Sequence, residues 1–220
     1  MKKLAIIFAL ALSLTFITAC HGVHFGKGVK GSGVRKTENR VVPEFKGVEA
    51  GGAFEIEVTA QAENGLEIDG DDNILPLIKT EVRGGVLHIG SDKGFNVSEP
   101  IQIKISTKDI QSLDLSGASQ AIVKNIKNDR FEIDVSGASN IKIQGETASL
   151  KIDSSGASKI DCEKLTARSV NVSTSGAGTT RVFASEELTA EASGASTIIY
   201  SGEPKVVNKK DSGASTITKK

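Results

Sequence analysis

The chain has 220 residues, with 27 basic and 27 acidic side chains that cancel, and it shows no basic stripe of the kind that holds nucleic acid. Two cysteines, one tyrosine and no tryptophan exclude a disulfide framework and argue against an aromatic-walled sugar cleft. A net-neutral chain of this size has enough residues for one domain with a continuous core.

The N-terminus begins Met1-Lys2-Lys3, continues as an apolar run from Leu4 to Phe16, and reaches Ile17-Thr18-Ala19-Cys20. A basic start, a short apolar centre and small residues before a cut describe an exported leader over residues 1–19. The run is shorter than the ~20 apolar residues a spanning helix needs. The placement of Cys20 resembles the lipobox of bacterial lipoproteins. It implies a diacylated Cys20 as the first mature residue, with the membrane as partner through that anchor. His21 stands where an acidic residue would favour inner-membrane retention, which points to the outer membrane. Residues 20–39 are expected to be the lipidated cysteine and a glycine-rich flexible tether. His21 and His24 lie in that tether with no further ligand in view, so no metal is expected there. With Cys20 carrying lipid, Cys162 lacks a disulfide partner and is read as a small buried hydrophobe.

Residues 40–220 are expected to be a single domain. Alternating patterns predict strands over residues 54–59, 65–69, 81–83, 86–90 and 101–105, with Arg83-Gly-Gly-Val86 as a tight hairpin. Residues 72–79 read as a short helical turn. The run from Asp69 to Asn73 has the opening spacing of a calcium loop, but Ile74 and Thr80 occupy the positions needing glycine and glutamate. A turn that caps the helix is the preferred reading.

From residue 112 onward the chain repeats. Ser-Gly-Ala-Ser or a near relative begins at Ser116, Ser136, Ser155, Ser175, Ser193 and Ser212, at intervals of 20, 19, 20, 18 and 19 residues. Apolar or small residues fall one and three positions before the corners and five and seven after them in all but the last repeat, as in Leu113, Leu115, Ala121 and Val123. Each repeat is therefore two alternating strands joined at a glycine corner. Equal coil lengths with corners in phase predict a parallel β-helix, a solenoid, rather than an antiparallel sandwich. In the last repeat the inward phase falls on Lys209, Asp211 and Lys219, a polar cap against edge-to-edge association.

Arg40-Val-Val-Pro-Glu-Phe-Lys-Gly-Val48, the strand from Phe54, the stretch Asp71 to Val82 and the Ser-Gly-Ala-Ser corners together resemble the putative auto-transporter adhesin, head GIN domain family, from roughly Arg40 to Lys220. The resemblance implies an exported, commonly lipid-anchored bacterial protein with a right-handed β-helical head. It brings no catalytic motif.

On this reading the chain is a non-enzymatic, cell-envelope binding or structural module, expected to be monomeric and without a cofactor. Its partners would be envelope glycans or proteins of a host or neighbouring cell. The outward serines of the corners and a mixed face of Asn140, Lys142, Lys159, Asp161, Thr179 and Arg181 would be displayed. The serines alone are better read as corner residues bonded to nearby backbone. The alternative is an ion-dependent polysaccharide-binding or polysaccharide-processing β-helix, resting on the stacked Asp114, Asp134 and Asp153, which by phase point outward. Solvated surface carboxylates are the preferred reading of that stack. Only His88 is available in the folded region as a catalytic base, and no nucleophile is tied to it by sequence.

Overall fold

The computed structural model describes residues 28–220. The expected leader, Cys20 and the first part of the tether lie outside the described residues. The strands are β1 (Val29–Lys30), β2 (Arg35–Arg40), β3 (Gly47–Gly52), β4 (Phe54–Ala60), β5 (Gly65–Asp71), β6 (Ile78–Arg83), β7 (Val86–Ser91), β8 (Phe95–Asn96), β9 (Ile101–Thr107) and β10 (Ser112–Gly117). They continue as β11 (Gln120–Gly137), β12 (Asn140–Gly156), β13 (Lys159–Thr174), β14 (Thr179–Ala192), β15 (Thr197–Ser201), β16 (Val206–Asp211) and β17 (Thr216–Lys219).

Fifteen of these strands form one continuous sheet wound into a parallel β-helix, and β1 pairs separately with β8. The first side of the coil runs β6, β7, β3, β10, then the C-terminal halves of β11 to β14, then β16. The second side runs β2, β5, β9, β4, then the N-terminal halves of β11 to β14, then β15 and β17. A short third side closes the coil where Ile126–Asn128 lie beside Gly145–Thr147. Register shifts between Val123 and Ile126 and between Cys162 and Thr166 fall on this third side. The 18 to 20 residue variation of the repeat is absorbed there, and the glycine corners stay in phase.

The corner explains the repeat. Gly117, Gly137 and Gly156 have φ of +116°, +120° and +101°, a region open to glycine and costly for other residues. A Cβ on Gly137 would also overlap the carbonyl oxygen of Gly117, one coil back. Backbone bonds tie the corners together, with Ala138 N donating to Gly117 O at 2.8 Å and Ala157 N to Gly137 O at 2.8 Å.

The inward phase is as the alternation predicts. Leu113, Leu115, Ile133, Ile141, Ile152 and Ile160 are each no more than 1% exposed, whereas Lys142 is exposed. Cys162 is fully buried and free among them, and burial pushes its thiol pKa up, so it packs as a hydrophobe. Tyr200 is also inward.

The predicted N-terminal strands and the hairpin at Gly84-Gly85 are present, the two glycines at φ +60° and +78°. Their order is not sequential. β3 and β4 form a coil around Gly52; the chain then lays β7 and β9 on the outer flank of that coil and returns to place β10 on its inner flank. The segment between β5 and β6 contains a 3-10 turn, Leu75–Leu77, and buries Ile74, Leu75 and Ile78 against the core.

Two local expectations are corrected. The tether does not extend to residue 39, because β2 is paired antiparallel along β5. Arg-Lys-Thr-Glu-Asn-Arg carries no apolar alternation, so nothing in its pattern marks a strand. Backbone pairing and polar bonds hold it: Arg35 and Thr37 to Asp69, and Arg40 to the carbonyls of Ile78 and Leu75 at 2.6 and 2.9 Å. The Asp-Asn run does not cap the helical turn either, since the N-cap is Ile74 and no side chain bonds to it. Instead Asp71 accepts from Gly33 N at 3.1 Å, Asp72 from the Ser32 hydroxyl at 2.6 Å, and Asn73 from Ser32 N at 2.9 Å. The run is a clasp for the incoming chain.

Candidate functional site

Two outward faces carry the side chains that sequence singled out. On the first side, register pairs align Glu49, Asp114, Asp134 and Asp153 as one row across β3, β10, β11 and β12. The three aspartates thus stack as expected, and Glu49 extends the row by one strand. Glu49 stands two residues before Gly51-Gly52-Ala53, as Asp114 stands two before Ser116-Gly-Ala. That echo of the corner was the signal that could have revealed it.

Like charges at adjacent ladder positions repel. Burial and then Glu49 and Asp134 push the Asp114 carboxyl above the ordinary carboxylate range. Burial, Glu132 and Asp153 do the same to Asp134, against an opposing pull from Lys151. Lys151 is set into this face, 2.6 Å from Glu132 and 2.9 Å from Asp153, and Arg130 lies 2.9 Å from the other oxygen of Glu132. The Lys151 ammonium is held more firmly protonated by its bonds, and Glu132 is held below its usual range by the same contact. Beside the row lies a shallow depression of about 440 Å³, lined by the three aspartates, Ser136, Ser155 and Ser175. Among the described residues no three His, Cys, Asp or Glu side chains converge as an ion-holding set. The row can accept hydrogen bonds from a ligand rich in donors; it does not enclose one.

The corner serines divide into two ranks. Ser116, Ser136, Ser155 and Ser212 are exposed and Ser175 and Ser193 half-buried. Of the first-position hydroxyls, that of Ser175 bonds a carbonyl, Ser154 O, at a long 3.4 Å. The fourth residue of the corner is the one that closes it. Ser119, Ser139, Ser158 and Ser196 are at most 2% exposed. Ser119 donates to Gly52 O at 3.1 Å and Ser158 to Gly137 O at 3.2 Å, while Ser139 N donates to Ser158 Oγ at 3.4 Å. The expected backbone bonding is therefore made chiefly by these inward serines.

On the second side, Asn140, Lys159, Thr179, Thr197 and Thr216 form one outward row. Ile122, Lys142, Asp161 and Arg181 form the next. The mixed face is thus a single surface. His88 is engaged elsewhere, with Nδ1 2.9 Å from Glu49 Oε2.

Residues 44–204 match the family described as "Putative auto-transporter adhesin, head GIN domain". Among solved structures, a putative adhesin from Bacteroides fragilis is 24% identical with a TM-score of 0.68, covering 88% of this chain and 100% of its own. A putative adhesin from Parabacteroides merdae is 18% identical with a TM-score of 0.57, covering 89% of this chain and 100% of its own. A protein from Parabacteroides distasonis described as putative lipid binding is 20% identical with a TM-score of 0.55, covering 88% of this chain and 100% of its own. These likenesses establish the β-helical fold. Among curated proteins none matches the chain.

Proposed function

The chain belongs to the auto-transporter adhesin head GIN domain family, and from that premise we propose that it is a cell-envelope module that binds through the flat outer faces of its solenoid. The observation that carries this reading is the corner. Each turn is closed by a glycine stacked on the previous glycine, so the repeats have no room at that edge for loops that would wall an active site. What is left for a partner is the side-chain surface of a rigid ladder.

Anchoring by a lipid on Cys20, with the head facing outward from the outer membrane, completes the proposal. It is supported by the lipobox-like Ile17-Thr18-Ala19-Cys20. The partners would be envelope glycans or surface proteins of a host or neighbouring cell, and the role binding or structural rather than catalytic.

The test is to produce the full chain and its Cys20→Ser variant in bacteria. Lipid labelling should mark the parent and miss the variant, and protease shaving of intact cells should remove the head of the parent. Cells displaying it should adhere saturably to a glycan or protein surface that cells lacking it do not hold. Uniform failure to adhere would overturn the binding role, and absence of label on the parent would overturn the anchor.

A further inference from the structure

The second side carries a row of polar side chains that the protein leaves unengaged. Register pairs set Gln102 of β9, Glu55 of β4, Gln120 of β11 and Asn140 of β12 beside one another, one step of about 4.8 Å per strand. None of the four makes a side-chain bond among the described residues. The neighbouring row is occupied, with Lys104 2.8 Å from Glu67 and Lys124 2.6 Å from Glu57. Ile122 lies one position over, 37% exposed and pointing outward from a central strand. The other exposed large hydrophobics, Val34, Val41, Val206 and Val207, sit towards the two ends of the described chain. Gln102, Glu55, Gln120, Asn140 and Ile122 line a shallow depression of about 320 Å³.

We propose that this row binds a linear, uncharged oligosaccharide laid along the solenoid axis, about one sugar ring per strand. The inference rests on the binding role proposed above and names its ligand class. Side-chain amides both donate and accept, and a carboxylate accepts twice, which matches the paired hydroxyls of a sugar. Ile122 meets the C–H face of a ring. Glu55 and Glu57 are balanced in the depression by Lys104 and Lys142, so a charged polymer gains no net attraction and a neutral one loses none. The backbone of these strands is already paired on both edges, so a peptide cannot add there as a strand. The ladder is fixed before binding, which lowers the ordering cost. Without an aromatic platform each site is weak, and many heads on one membrane multiply it.

Calorimetry on the full chain in detergent, with cellohexaose, xylohexaose and mannohexaose as probes, tests the proposal. At least one probe should bind saturably. The double variant Gln120→Ala/Asn140→Ala should weaken it about tenfold or more. Glu187→Gln, at an exposed position on the other side of the coil, should leave it unchanged, as should raising salt to about 0.5 M. If the double variant melts early, Asn140→Asp alone, which removes the amide donor at constant size, should lose affinity likewise. Binding by no probe, equal binding by the row variants, or loss on Glu187→Gln would each overturn the assignment. Cells that still adhere while no probe binds would overturn this ligand class and leave the binding role standing, and wild-type cells that adhere to nothing would overturn both.

Discussion

The ammonium of Lys209 lies 4.6 Å from the centre of the Tyr200 ring, directly over the last aromatic residue of the core. Tyr200 is 6% exposed, whereas every residue of β16, Lys209 included, is exposed. Lys209 takes the inward phase of its coil, paired in register with Ala190. It therefore closes the solenoid with a charge where another coil would otherwise stack. Beyond it β16 and β17 pair on one edge only. A lysine at such an end discourages a second sheet from adding. Lys209→Ile should cost little intrinsic stability, about 0.5–1 kcal/mol for the lost cation–ring contact. It should make the chain self-associate with concentration in sedimentation velocity more than the parent does. A variant that sediments like the parent would show that the bare edge is protected by something else.

The corner glycines admit a sharper test. Gly137→Ala meets two penalties at once, a φ of +120° and overlap of the new methyl group with Gly117 O. Backbone strain of this kind costs about 1–3 kcal/mol before the clash is counted. The urea midpoint should fall by the equivalent of about 3 kcal/mol or more. Gly90→Ala, where a Cβ meets nothing within 4 Å, should shift stability by no more than about 0.5 kcal/mol. Equal effects would mean that the stacked corner is not what fixes the coil.

These corners were also the most legible part of the chain. A glycine recurring at 18 to 20 residue intervals between alternating runs announces both the turn and its repetition, and the inward phase of Leu113, Ile133 and Ile152 follows from period two. Less was visible where pairing is distant. Nothing local to Ser112 says that it pairs with Gly47, across the whole N-terminal region. The strand Arg35–Arg40 is polar on both faces and hid its pairing with β5. The outward and inward serines of one corner look alike in sequence, and only the fold shows that Ser158 is buried while Ser155 is exposed. For the faces, the stacked aspartates were legible from phase. The row from Gln102 to Asn140 was not, because two of its four members come from the N-terminal half.

The acidic row makes stability depend on pH in an unusual direction. Asp114 and Asp134 hold their protons more tightly in the folded chain than in the unfolded one. Folding then takes up protons between the ordinary aspartate value of about 3.9 and the raised folded values. Across that window these two groups lower stability as pH rises, and the deficit persists above it. Glu132, lowered by Lys151, acts oppositely, and its contribution is lost as pH falls. Asp134→Asn should therefore stabilise the protein at neutral pH, by a few tenths to about 1 kcal/mol for the relieved like-charge contacts with its row neighbours. The gain should vanish near pH 3 and shrink in high salt. Thermal melts across pH and salt would show it; a variant less stable than the parent at pH 7 would mean that the row is held by a favourable partner.

The inward serine rank can be separated from the outward one by a single pair of exchanges. Ser158 Oγ donates to Gly137 O and accepts from Ser139 N, tying its coil to the preceding one at two points in a place water does not reach. Ser158→Ala removes both bonds and leaves buried backbone groups without side-chain partners, a loss of about 1–3 kcal/mol. Ser155→Ala deletes a hydroxyl that faces solvent and should change stability by no more than about 0.5 kcal/mol. Hydrogen exchange should reveal the difference at the Ser139 amide, which loses protection in the first variant and keeps it in the second. If Ser155→Ala were the costlier change, the outward rank would be structural, and the surface left free for a partner would shrink to the sides of the coil.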